Sequence, residues 1–466
     1  MAFSETTQTT ISPATQQPVY TRDYPSPAAV TTTLDSAASA ASRWAAVPLA
    51  QRQAAMDRFL AVFEAADKDE LARELTAQMG RPLKQNAGEF NGFLGRARYL
   101  ASVAAECLAD MPIDEAQGNG FTLKRRIKKV PLGVVLLIAP WNYPYLTTVN
   151  ALVPALLAGN AVILKPSPQT PLVSDVFTVL HLTPNLVKQA MRHPAVGFVS
   201  FTGSVAGGRD VARVAAGYGD DVGEIGIKHT ALELGGKDPA YVRADADLDY
   251  VVPELVDGAM YNSGQSCCGV ERIYVHTSLY PAFVAKFADF VKKEYKLGDP
   301  MAEGVNLGPV ISNAAKKRIE AQVAEAVASG ATALIPASLF PAADDPNSAY
   351  VAPQVLVGCT AEMEVVKEET FGPVVPILEV ADDAEAIKAM NDSRYGLTAS
   401  IWTNDADAFA ALEPMVEAGT VFMNRADFLD PALAWVGVKD SGRGVSLSYD
   451  QVTRPKSVHM KVLSGK

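Results

Sequence analysis

Between residues 134 and 201 the sequence alternates short apolar runs with a helical segment, and this alternation restricts the fold more than any other feature. Val134 to Ile138, Ala161 to Leu164 and Val196 to Phe201 predict buried strands, and Val149 to Leu157 has helical character. Continuous apolar runs alternating with helices are typical of a parallel sheet that is covered on both faces. The order βαβαβ predicts an α/β protein with a nucleotide-binding type of sheet.

Size and charge exclude several classes of protein. With 466 residues, 48% of them hydrophobic, the chain is long enough for two or three domains with sizeable cores. The formal net charge is −11, and the 41 basic residues are spread along the sequence, so we expect no nucleic acid and no membrane surface as a partner. The longest apolar run, Pro131 to Pro140, is shorter than the roughly 20 residues that a membrane-spanning helix needs.

Two features favour a cytoplasmic location. The first twenty residues contain no apolar segment of a secretory signal and no Lys or Arg, so we expect no targeting segment there. The four cysteines, at positions 107, 267, 268 and 359, are too few and too unevenly spaced for a disulfide framework. No CxxC pair indicates a zinc or redox site, so we expect a reducing compartment and no metal.

Other segments complete the predicted organisation. From Leu49 to Gly80 apolar residues recur at helical spacing, which predicts that long amphipathic helices open the protein. From Asn119 to Val130 apolar and basic residues alternate, as in a two-sided β-ribbon or a solvated edge strand. Asp175 to Leu182 is predicted to be a further strand, and a second alternating α/β segment runs from Glu233 to Gly444.

The segment Asn262 to Cys268, NSGQSCC, is the first candidate for chemistry. A cysteine is a nucleophile only as thiolate, so it needs an electropositive or hydrogen-bonding surrounding and a nearby base. Cys267 lies in a turn rich in Gly, Ser and Asn, and Glu233 in the preceding motif LELGGK offers a carboxylate. A lone cysteine is more often a small buried hydrophobic residue, so the assignment depends on the neighbouring motifs.

Three loops that follow predicted strands are candidates for ligand binding. In FTGSVAGG, Ser204 opens a helix whose N–H groups could receive a phosphate, although a serine-capped turn is common and the GxGxxG fingerprint is absent. Lys165 follows an earlier strand at the edge where open α/β sheets bind ligands, but a solvated lysine is the simpler interpretation. Asn142 in PWNYP has a backbone restricted by two prolines, which suits either an oxyanion donor or a structural turn.

In combination these motifs are specific. PWNYP, LKPS, FTGS, LELGGK, GQSC, EETFGP and KDSGRG occur in this order over nearly the whole chain, which closely resembles the NAD(P)-dependent aldehyde dehydrogenase superfamily. The resemblance implies a Rossmann-like cofactor domain, an α/β catalytic domain and a small β oligomerisation ribbon. It also implies that Cys267 is the nucleophile, that Asn142 and the Cys267 backbone N–H form the oxyanion hole, and that Glu233 is the general base for the attacking water.

The same resemblance implies the remaining site residues. The cofactor is NAD or NADP, and the residues expected to bind it are Trp141, Lys165, Gly203, Ser204, Gly208, Leu234, Glu369 and Phe371. The residues expected to line the pocket of a small aldehyde are Tyr143, Trp435, Ser266 and Cys268. The expected domains are 1–112 with 132–231 for cofactor binding, 232–444 for catalysis, and 113–131 with 445–466 for a ribbon that forms homodimers or homotetramers.

The sequence departs from the family pattern after LKPSPQTP. The eleven residues from Lys165 to Asp175 include three prolines and leave little room for the helical crossover that usually joins parallel strands. That helix forms one wall of the adenine site in the family, so its absence would weaken cofactor binding. The link 217–224 is longer and the segment 446–449 shorter than in the family. Pro168 replaces an acidic residue that in the family would repel a 2′-phosphate. NADP therefore stays possible as the cofactor.

The leading hypothesis is an enzyme that oxidises an aldehyde to a carboxylic acid with NAD(P)+ through a cysteine hemithioacetal and thioester. The presence of both Cys267 and Glu233 disfavours the acyl-CoA-forming relatives, which usually lack the glutamate. Two alternatives stay open. One is a catalytically impaired scaffold, motivated by the missing crossover helix, and the other is a cofactor-independent ester or thioester hydrolase.

Overall fold

A computed structural model of the chain describes residues 6–172, 179–218 and 227–463. The helices are α1 (Pro27–Ala45), α2 (Leu49–Ala65), α3 (Lys68–Met79), α4 (Asn86–Cys107), α5 (Pro144–Ala158), α6 (Pro184–Arg192), α7 (Val205–Ala215), α8 (Leu248–Met260), α9 (Tyr280–Glu294), α10 (Asn313–Ala328), α11 (Glu364–Lys367), α12 (Asp383–Asn391) and α13 (Ala406–Leu412). The strands are β1 (Thr7–Ile11), β2 (Pro18–Asp23), β3 (Met111–Gly118), β4 (Phe121–Pro131), β5 (Val134–Ile138), β6 (Ala161–Lys165), β7 (Val196–Thr202), β8 (His229–Glu233), β9 (Asp238–Val242), β10 (Val270–His276), β11 (Thr332–Ala333), β12 (Gln354–Val357), β13 (Val374–Val380), β14 (Thr398–Trp402), β15 (Thr420–Met423), β16 (Gly442–Arg443) and β17 (Thr453–Leu463). None of the helices described is both long and apolar enough to cross a membrane.

The predicted nucleotide-binding type of sheet is present, with the strand order β16–β8–β7–β5–β6. The strands β5 to β8 run parallel, and only the short β16 is antiparallel to its neighbour. Every side chain of β5 is buried. Leu136 packs in a cluster with residues of α1, α6 and α7, whereas Leu137 packs against α5 on the opposite face. Both faces are therefore covered, which is why this strand is apolar without alternation.

The second alternating region forms a seven-stranded sheet in the order β11–β12–β13–β10–β9–β14–β15. All neighbouring strands are parallel except β11 and β12. The helices α8 and α9 pack on it through an apolar cluster that includes Leu255 and Phe283. Since β8 ends at Glu233 in the first sheet and β9 begins at Asp238 in the second, the short segment between them joins the two sheets.

The predicted ribbon is a three-stranded antiparallel sheet in the order β17–β4–β3. β17 pairs with β4 over its whole length, from Thr453 opposite Pro131 to Leu463 opposite Phe121. This confirms the predicted pairing of the ribbon with the C-terminal strand. Several apolar side chains of β3 and β17 are exposed: Met111, Ile113, Met460, Val462 and Leu463.

The prediction that helices open the protein is wrong. The described chain begins with an antiparallel hairpin of β1 and β2, and the helices follow from α1 onward. β1 reads TQTTI, in which Gln8 and Thr10 are buried and their neighbours are more exposed. This period of two, together with β-branched residues, favours a strand. The side chains of Gln8 and Thr10 both donate to the carbonyl oxygen of Pro168, so the hairpin supports the loop that follows β6.

The predicted strand from Asp175 to Leu182 falls partly on residues outside the described ranges. Within them, Val179 forms a single parallel bridge with Leu164, and Leu180 N donates to Leu164 O at 3.0 Å. The chain therefore returns to the outer edge of β6 in the parallel sense. The described residues 166–172 of this connection form no α-helix, in agreement with the prediction from their prolines. Most of the long link 217–224 also lies outside the described residues.

Candidate active site

A cleft of about 550 Å³ lies at the carboxyl ends of β5 to β8, where the two large sheets meet. Open parallel sheets bind ligands at this edge. The three residues expected to be catalytic line this cleft, and so do seven of the eight expected to bind the cofactor. The exception is Gly208, which is buried in α7 behind Leu234 and lies against the side chain of that residue. The motifs that are dispersed in sequence are thus brought together in one place.

A left-handed backbone turn precedes Cys267. Asn262, Ser263 and Gly264 have φ angles of 52°, 56° and 71°. Such a conformation is unfavourable for residues with a side chain and persists only where the surroundings enforce it. At Gly264 a side chain is excluded outright, because a Cβ atom would lie 2.1 Å from the carbonyl oxygen of Gly372. The asparagine and glycine of NSGQSCC therefore shape the turn that presents the cysteine.

The two adjacent cysteines have different surroundings. Cys267 is partly exposed and lines the cleft. Cys268 is buried, and its thiol donates to Oδ1 of Asp427 at 3.0 Å, an oxygen that also accepts from the Ser266 hydroxyl at 2.7 Å. The pKa of Cys268 is raised well above its ordinary value, first by the hydrogen bond with Cys267 and then by burial. Cys268 is therefore held as a thiol, and Cys267 is the cysteine that a ligand in the cleft can reach.

Asn142 is buried but still reaches the cleft. Its side-chain Nδ2 donates to the carbonyl oxygen of Gln265 at 3.2 Å, in the turn that carries Cys267. Its backbone oxygen accepts from Arg81 and, at 3.4 Å, from Nδ2 of Asn262. An amide nitrogen carries two N–H donors, so a second one is available in addition to the bond with Gln265. An amide that is fixed to the turn of Cys267 and lines the same cleft is what a preorganised oxyanion donor requires.

A buried ion pair supports the loop of Asn142. Arg81 Nη1 lies 2.6 Å from Oε2 of Glu89, and its guanidinium carbon lies 4.5 Å from the ring centre of Tyr143. The other Glu89 oxygen accepts two backbone N–H groups in the first turn of α5, at 2.9 and 3.0 Å. Glu89 thus satisfies helix N–H groups and places negative charge at a helix N-terminus. Tyr143, expected in the aldehyde pocket, lies against Arg81 and does not line the cleft.

Glu233 is the last residue of β8 and is 9% exposed. Burial raises its pKa to about 7, against hydrogen bonds from Ser446 and Trp435 that lower it. A carboxyl group that is partly ionised at neutral pH is suited to accept a proton during catalysis. Trp435, which was expected to line the aldehyde pocket, is not among the residues that line this cleft.

The cleft has an aromatic wall and a helix N-terminus. The rings of Trp141 and Phe371 meet edge to face, with centroids 5.6 Å apart. Gly203 and Ser204 lie where β7 leads into α7, and the Ser204 hydroxyl caps this helix by accepting a first-turn N–H at 3.2 Å. The positive partial charge of a helix N-terminus favours a phosphate group there.

Glu369 lies in a loop that the second sheet holds in place. Its Oε1 accepts the Gly236 N–H at 3.0 Å, and burial raises its pKa to about 7. The two backbone N–H groups that follow Glu369 donate to the carboxylate of Glu271 at 2.7 and 2.8 Å, and Glu271 forms a buried ion pair with Lys237 at 2.7 Å. The lysine of LELGGK therefore supports the loop that carries Glu369 and Phe371.

Lys165 is the last residue of β6, which is the edge strand of the first sheet opposite β16. Its exposed fraction is 8%. Burial lowers its pKa to about 8, and no charged side chain of the described residues offsets this effect. A buried lysine without a carboxylate partner suits a ligand that brings hydroxyl or phosphate oxygens. Together with the α7 N-terminus, Glu369 and the aromatic wall, Lys165 fits a nicotinamide dinucleotide. Over the same described residues, no group of three or more His, Cys, Asp or Glu side chains is placed to hold a metal ion.

Five residues at or near the site were not found from the sequence: Arg81, Arg96, Arg318, Asp427 and Ser446. Arg318 of α10 lines the cleft and donates to the carbonyl oxygen of Thr370 at 3.0 Å. Except for Ser446, which closely follows KDSGRG, these residues lie outside the recognised motifs, and no local spacing distinguishes them from ordinary surface charges. Only their tertiary contacts reveal them.

The family model for the aldehyde dehydrogenase family matches residues 2–458. The chain belongs to the aldehyde dehydrogenase family. It is 38% identical over 397 residues to a succinate-semialdehyde dehydrogenase [NADP(+)] of Mycolicibacterium paratuberculosis, covering 82% of this chain and 81% of that protein. It is 33% identical over 415 residues to 3,6-anhydro-alpha-L-galactose dehydrogenase of Streptomyces coelicolor, covering 85% and 82%. The structure of succinic semialdehyde dehydrogenase from Streptococcus pyogenes with NADP+ matches it with a TM-score of 0.89 at 27% identity, covering 97% of this chain and 99% of that chain.

These similarities confirm the predicted fold class and the predicted activity. The protein is an aldehyde dehydrogenase, an oxidoreductase that oxidises an aldehyde with NAD(P)+. The alternatives of an impaired scaffold and of a cofactor-independent hydrolase are not favoured. The short connection after Lys165 therefore occurs in a chain whose fold otherwise matches that of its relatives over nearly its full length.

Proposed function

We propose that Cys267, Asn142 and Glu233 carry out the reaction of this aldehyde dehydrogenase. The Cys267 thiolate attacks the carbonyl carbon, and the resulting oxyanion accepts hydrogen bonds from the side-chain amide of Asn142 and the backbone N–H of Cys267. Bound NAD(P)+ supplies the acceptor for the hydride, which leaves the acyl group on Cys267 as a thioester. Glu233 takes a proton from the water that attacks this thioester, and the carboxylic acid leaves.

The observation that carries this proposal is the convergence of the three side chains on one cleft, while the Asp427 carboxylate holds Cys268 as a thiol. Mass spectrometry of acid-quenched turnover mixtures tests the covalent step directly. We expect an acyl adduct on the peptide that contains Cys267. Turnover without an adduct on that peptide would contradict the proposal.

We also propose that NADP+ is the preferred cofactor. Among the described residues that line the cleft, the carboxylates are those of Glu233 and Glu369, and Glu369 bonds to the segment that follows β8. In the strand order β8–β7–β5–β6, Lys165 lies three strand positions away, or roughly 14 Å. Neither carboxylate is therefore next to the loop of Lys165 and Pro168, where a 2′-phosphate would not be repelled. Relatives named as NADP(+)-dependent enzymes support this choice.

Replacing Pro168 by glutamate is expected to reverse this preference. A carboxylate about 5 Å from a 2′-phosphate repels each negative charge on it by roughly 3 kcal/mol before screening by salt, so kcat/KM with NADP+ should fall by about ten- to a hundredfold. The value with NAD+ should change little. Initial rates with both cofactors measure the ratio, and Pro168→Gln is the uncharged control. An unchanged ratio in Pro168→Glu would place the 2′-phosphate elsewhere.

We propose that the aldehyde carries a carboxylate, because Arg96 is a partly buried cation that forms no ion pair within the described residues. Arg96 Nη1 donates to the carbonyl oxygen of Leu146 at 2.8 Å and to Oδ1 of Asn150 at 3.3 Å, and among the described residues no acidic side chain forms an ion pair with it. Burial lowers its pKa, and the ionisable groups that oppose this are first Glu89 and then Cys268 and Cys267. A desolvated guanidinium near the nucleophile favours an anionic ligand. Relatives named succinate-semialdehyde dehydrogenase are consistent with this class.

The Arg96→Met variant is expected to lose activity on an anionic aldehyde selectively. A hydrogen bond to a charged group contributes about 1.5–3 kcal/mol, so kcat/KM for succinic semialdehyde should fall about ten- to a hundredfold. The value for butanal, which has the same chain length and no charge, should not fall. Arg98→Met is the matched control, since Arg98 lies on the same helix in an exposed ion pair with Glu64. If the wild-type enzyme prefers 4-aminobutanal, the assignment of a carboxylate is wrong and Asp427 becomes the better candidate for substrate recognition.

The assembly and the domain limits are proposals as well. We propose that the ribbon sheet mediates homodimers or homotetramers, because exposed apolar side chains such as Met460 and Leu463 accompany its free strand edges. We keep the division into a cofactor domain (1–112 and 132–231), a catalytic domain (232–444) and a ribbon (113–131 and 445–466). The four free cysteines support a reducing, cytoplasmic location. Light scattering coupled to gel filtration tests the assembly, and a purely monomeric protein would contradict it.

A further inference from the structure

The residues on either side of Cys267 share one hydrogen-bond acceptor. The Ser266 hydroxyl donates to Oδ1 of Asp427 at 2.7 Å, and the Cys268 thiol donates to the same oxygen at 3.0 Å. The two donor atoms lie 3.6 Å apart. Ser266 and Cys268 are both buried, whereas Cys267 between them is partly exposed and lines the cleft. One carboxylate oxygen therefore binds both neighbours of the residue that reaches the cleft.

The loop that carries Asp427 is anchored at its start and along its length. Asn424 directly follows β15, and its side-chain amide donates to the carbonyl oxygen of Thr403 at 2.8 Å and accepts the Thr403 N–H at 2.9 Å. Farther along, Ala426 packs against α8, where a Cβ atom at Gly258 would lie 3.4 Å from the Cβ atom of Ala426. The side chain of Asp427 therefore projects from a segment that both the second sheet and α8 support.

The backbone at position 427 restricts which residues fit there. The φ angle of Asp427 is +47°, in the left-handed region. Glycine adopts this conformation without strain, and among residues with a side chain, aspartate and asparagine adopt it most readily. Aspartate and asparagine also supply an acceptor oxygen on a short side chain. Position 427 thus suits a short side chain that accepts hydrogen bonds from the cysteine turn.

The placement of Cys267 relative to Asn142 depends on this turn. In the proposed reaction the oxyanion lies between the Asn142 amide and the Cys267 backbone N–H, and the amide is itself bonded to the carbonyl oxygen of Gln265 at 3.2 Å. Without the shared acceptor, two buried donors would have to find other partners, and the turn would shift. A displacement of about 1 Å in a reacting group can slow a reaction about a hundredfold.

We infer that Asp427 is a positioning residue for Cys267: by binding both neighbours with one oxygen, it holds the Cys267 thiol and N–H in place beside the Asn142 amide. This inference rests on the proposed role of Cys267 as the nucleophile. It predicts that the reaction needs an acceptor oxygen at position 427 and does not need the negative charge. Recognition of a cationic substrate by Asp427 would need the charge instead.

The test compares two reactions of Cys267 in the full-length enzyme. 4-Nitrophenyl acetate acylates a cysteine through an oxyanion, and the burst of nitrophenolate gives the rate of this step. Iodoacetamide alkylates the same thiol by displacement of iodide, without an oxyanion, and mass spectrometry of the Cys267 peptide follows it. Asp427→Gly removes the acceptor without backbone strain. It should slow acylation by about ten- to a hundredfold and change alkylation by less than about threefold.

Two further variants provide a rescue and a control. Asp427→Asn keeps an acceptor oxygen and accommodates the positive φ angle, so acylation should stay within about threefold of the wild-type rate. Asp430→Ala removes another carboxylate from the same loop, one whose Oδ1 accepts the Ala432 N–H at 2.9 Å. It should leave both reactions unchanged.

Each contrary result has a distinct meaning. Wild-type acylation in Asp427→Gly would overturn the inference, and so would an equal loss in Asp427→Asn, because the charge would then be what matters. A parallel loss of acylation and alkylation in Asp427→Gly would show a merely structural role and would also overturn it. If the wild-type enzyme forms no acyl adduct on the Cys267 peptide, the proposed nucleophile itself fails.

Discussion

Replacing Cys267 by alanine is expected to reduce aldehyde oxidation by at least about 10⁴-fold, because the variant has no nucleophile in the cleft. Cys268 cannot take over. It is buried, it donates to Asp427, and its pKa is raised well above the ordinary value, so it is not available as a thiolate. The rate of NAD(P)H formation from a saturating aldehyde measures the loss, and binding of the cofactor to the variant should be retained.

The neighbouring cysteine provides the matched control for this experiment. Cys268→Ser keeps a donor for the Asp427 carboxylate, so the buried acid is not left with fewer hydrogen bonds, and the variant should keep its activity within about threefold. Comparing the two variants therefore distinguishes the roles of the two adjacent cysteines. Full activity in Cys267→Ala together with its loss in Cys268→Ser would exchange the roles of the two residues and refute the assignment.

The second large effect is expected from Glu233→Gln. General base catalysis contributes about 10²- to 10⁴-fold, so hydrolysis of the thioester should slow by that factor. Glutamine has nearly the same shape as glutamate, but its side-chain amide cannot take a proton from water. The first turnover, measured as a burst of NAD(P)H, should therefore be nearly normal, whereas the steady state that follows should be almost absent.

The pH dependence of thioester hydrolysis provides a second test of the role of Glu233. Since burial raises the pKa of Glu233 to about 7, the carboxyl group is protonated and inactive as a base below that pH, and hydrolysis in the wild type should rise as pH increases through about 7. This rise should disappear in Glu233→Gln. Glu369→Gln is the control, because Glu369 is another buried carboxyl group in the cleft with a pKa of about 7. It should weaken cofactor binding and leave hydrolysis intact at saturating cofactor.

Much of the fold could be predicted because its signals are local. The apolar run of β5 is buried on both faces, and the helical spacing after Leu49 corresponds to α2 and α3. The N-terminal hairpin was missed because its strand is short and polar, and its burial comes from contacts with the distant loop at Pro168. Tertiary contacts of this kind leave no periodic trace in the segment itself.

The site could be predicted in part, for a different reason. Cys267, Glu233 and Asn142 were named from motifs, and all three line one cleft. The pocket positions assigned by resemblance were less informative about contacts. Trp435 forms a backbone bridge with Ser446 outside the cleft lining, and Tyr143 packs on Arg81. A motif states which residue type is present, but the partner of a side chain depends on segments that are far away in the chain.

The sequence by itself determined the α/β architecture, the strands that precede PWNYP, LKPS and FTGS, and the kinds of reactive group available, since periodicity and turn chemistry act over a few residues. Only the tertiary structure decided which of two consecutive cysteines lines the cleft. The carboxylate that accepts the hydrogen bond of the Cys268 thiol belongs to Asp427, 159 residues later. The tertiary structure likewise decided the basicity of Glu233, since burial and hydrogen bonds exist only after distant segments have packed together.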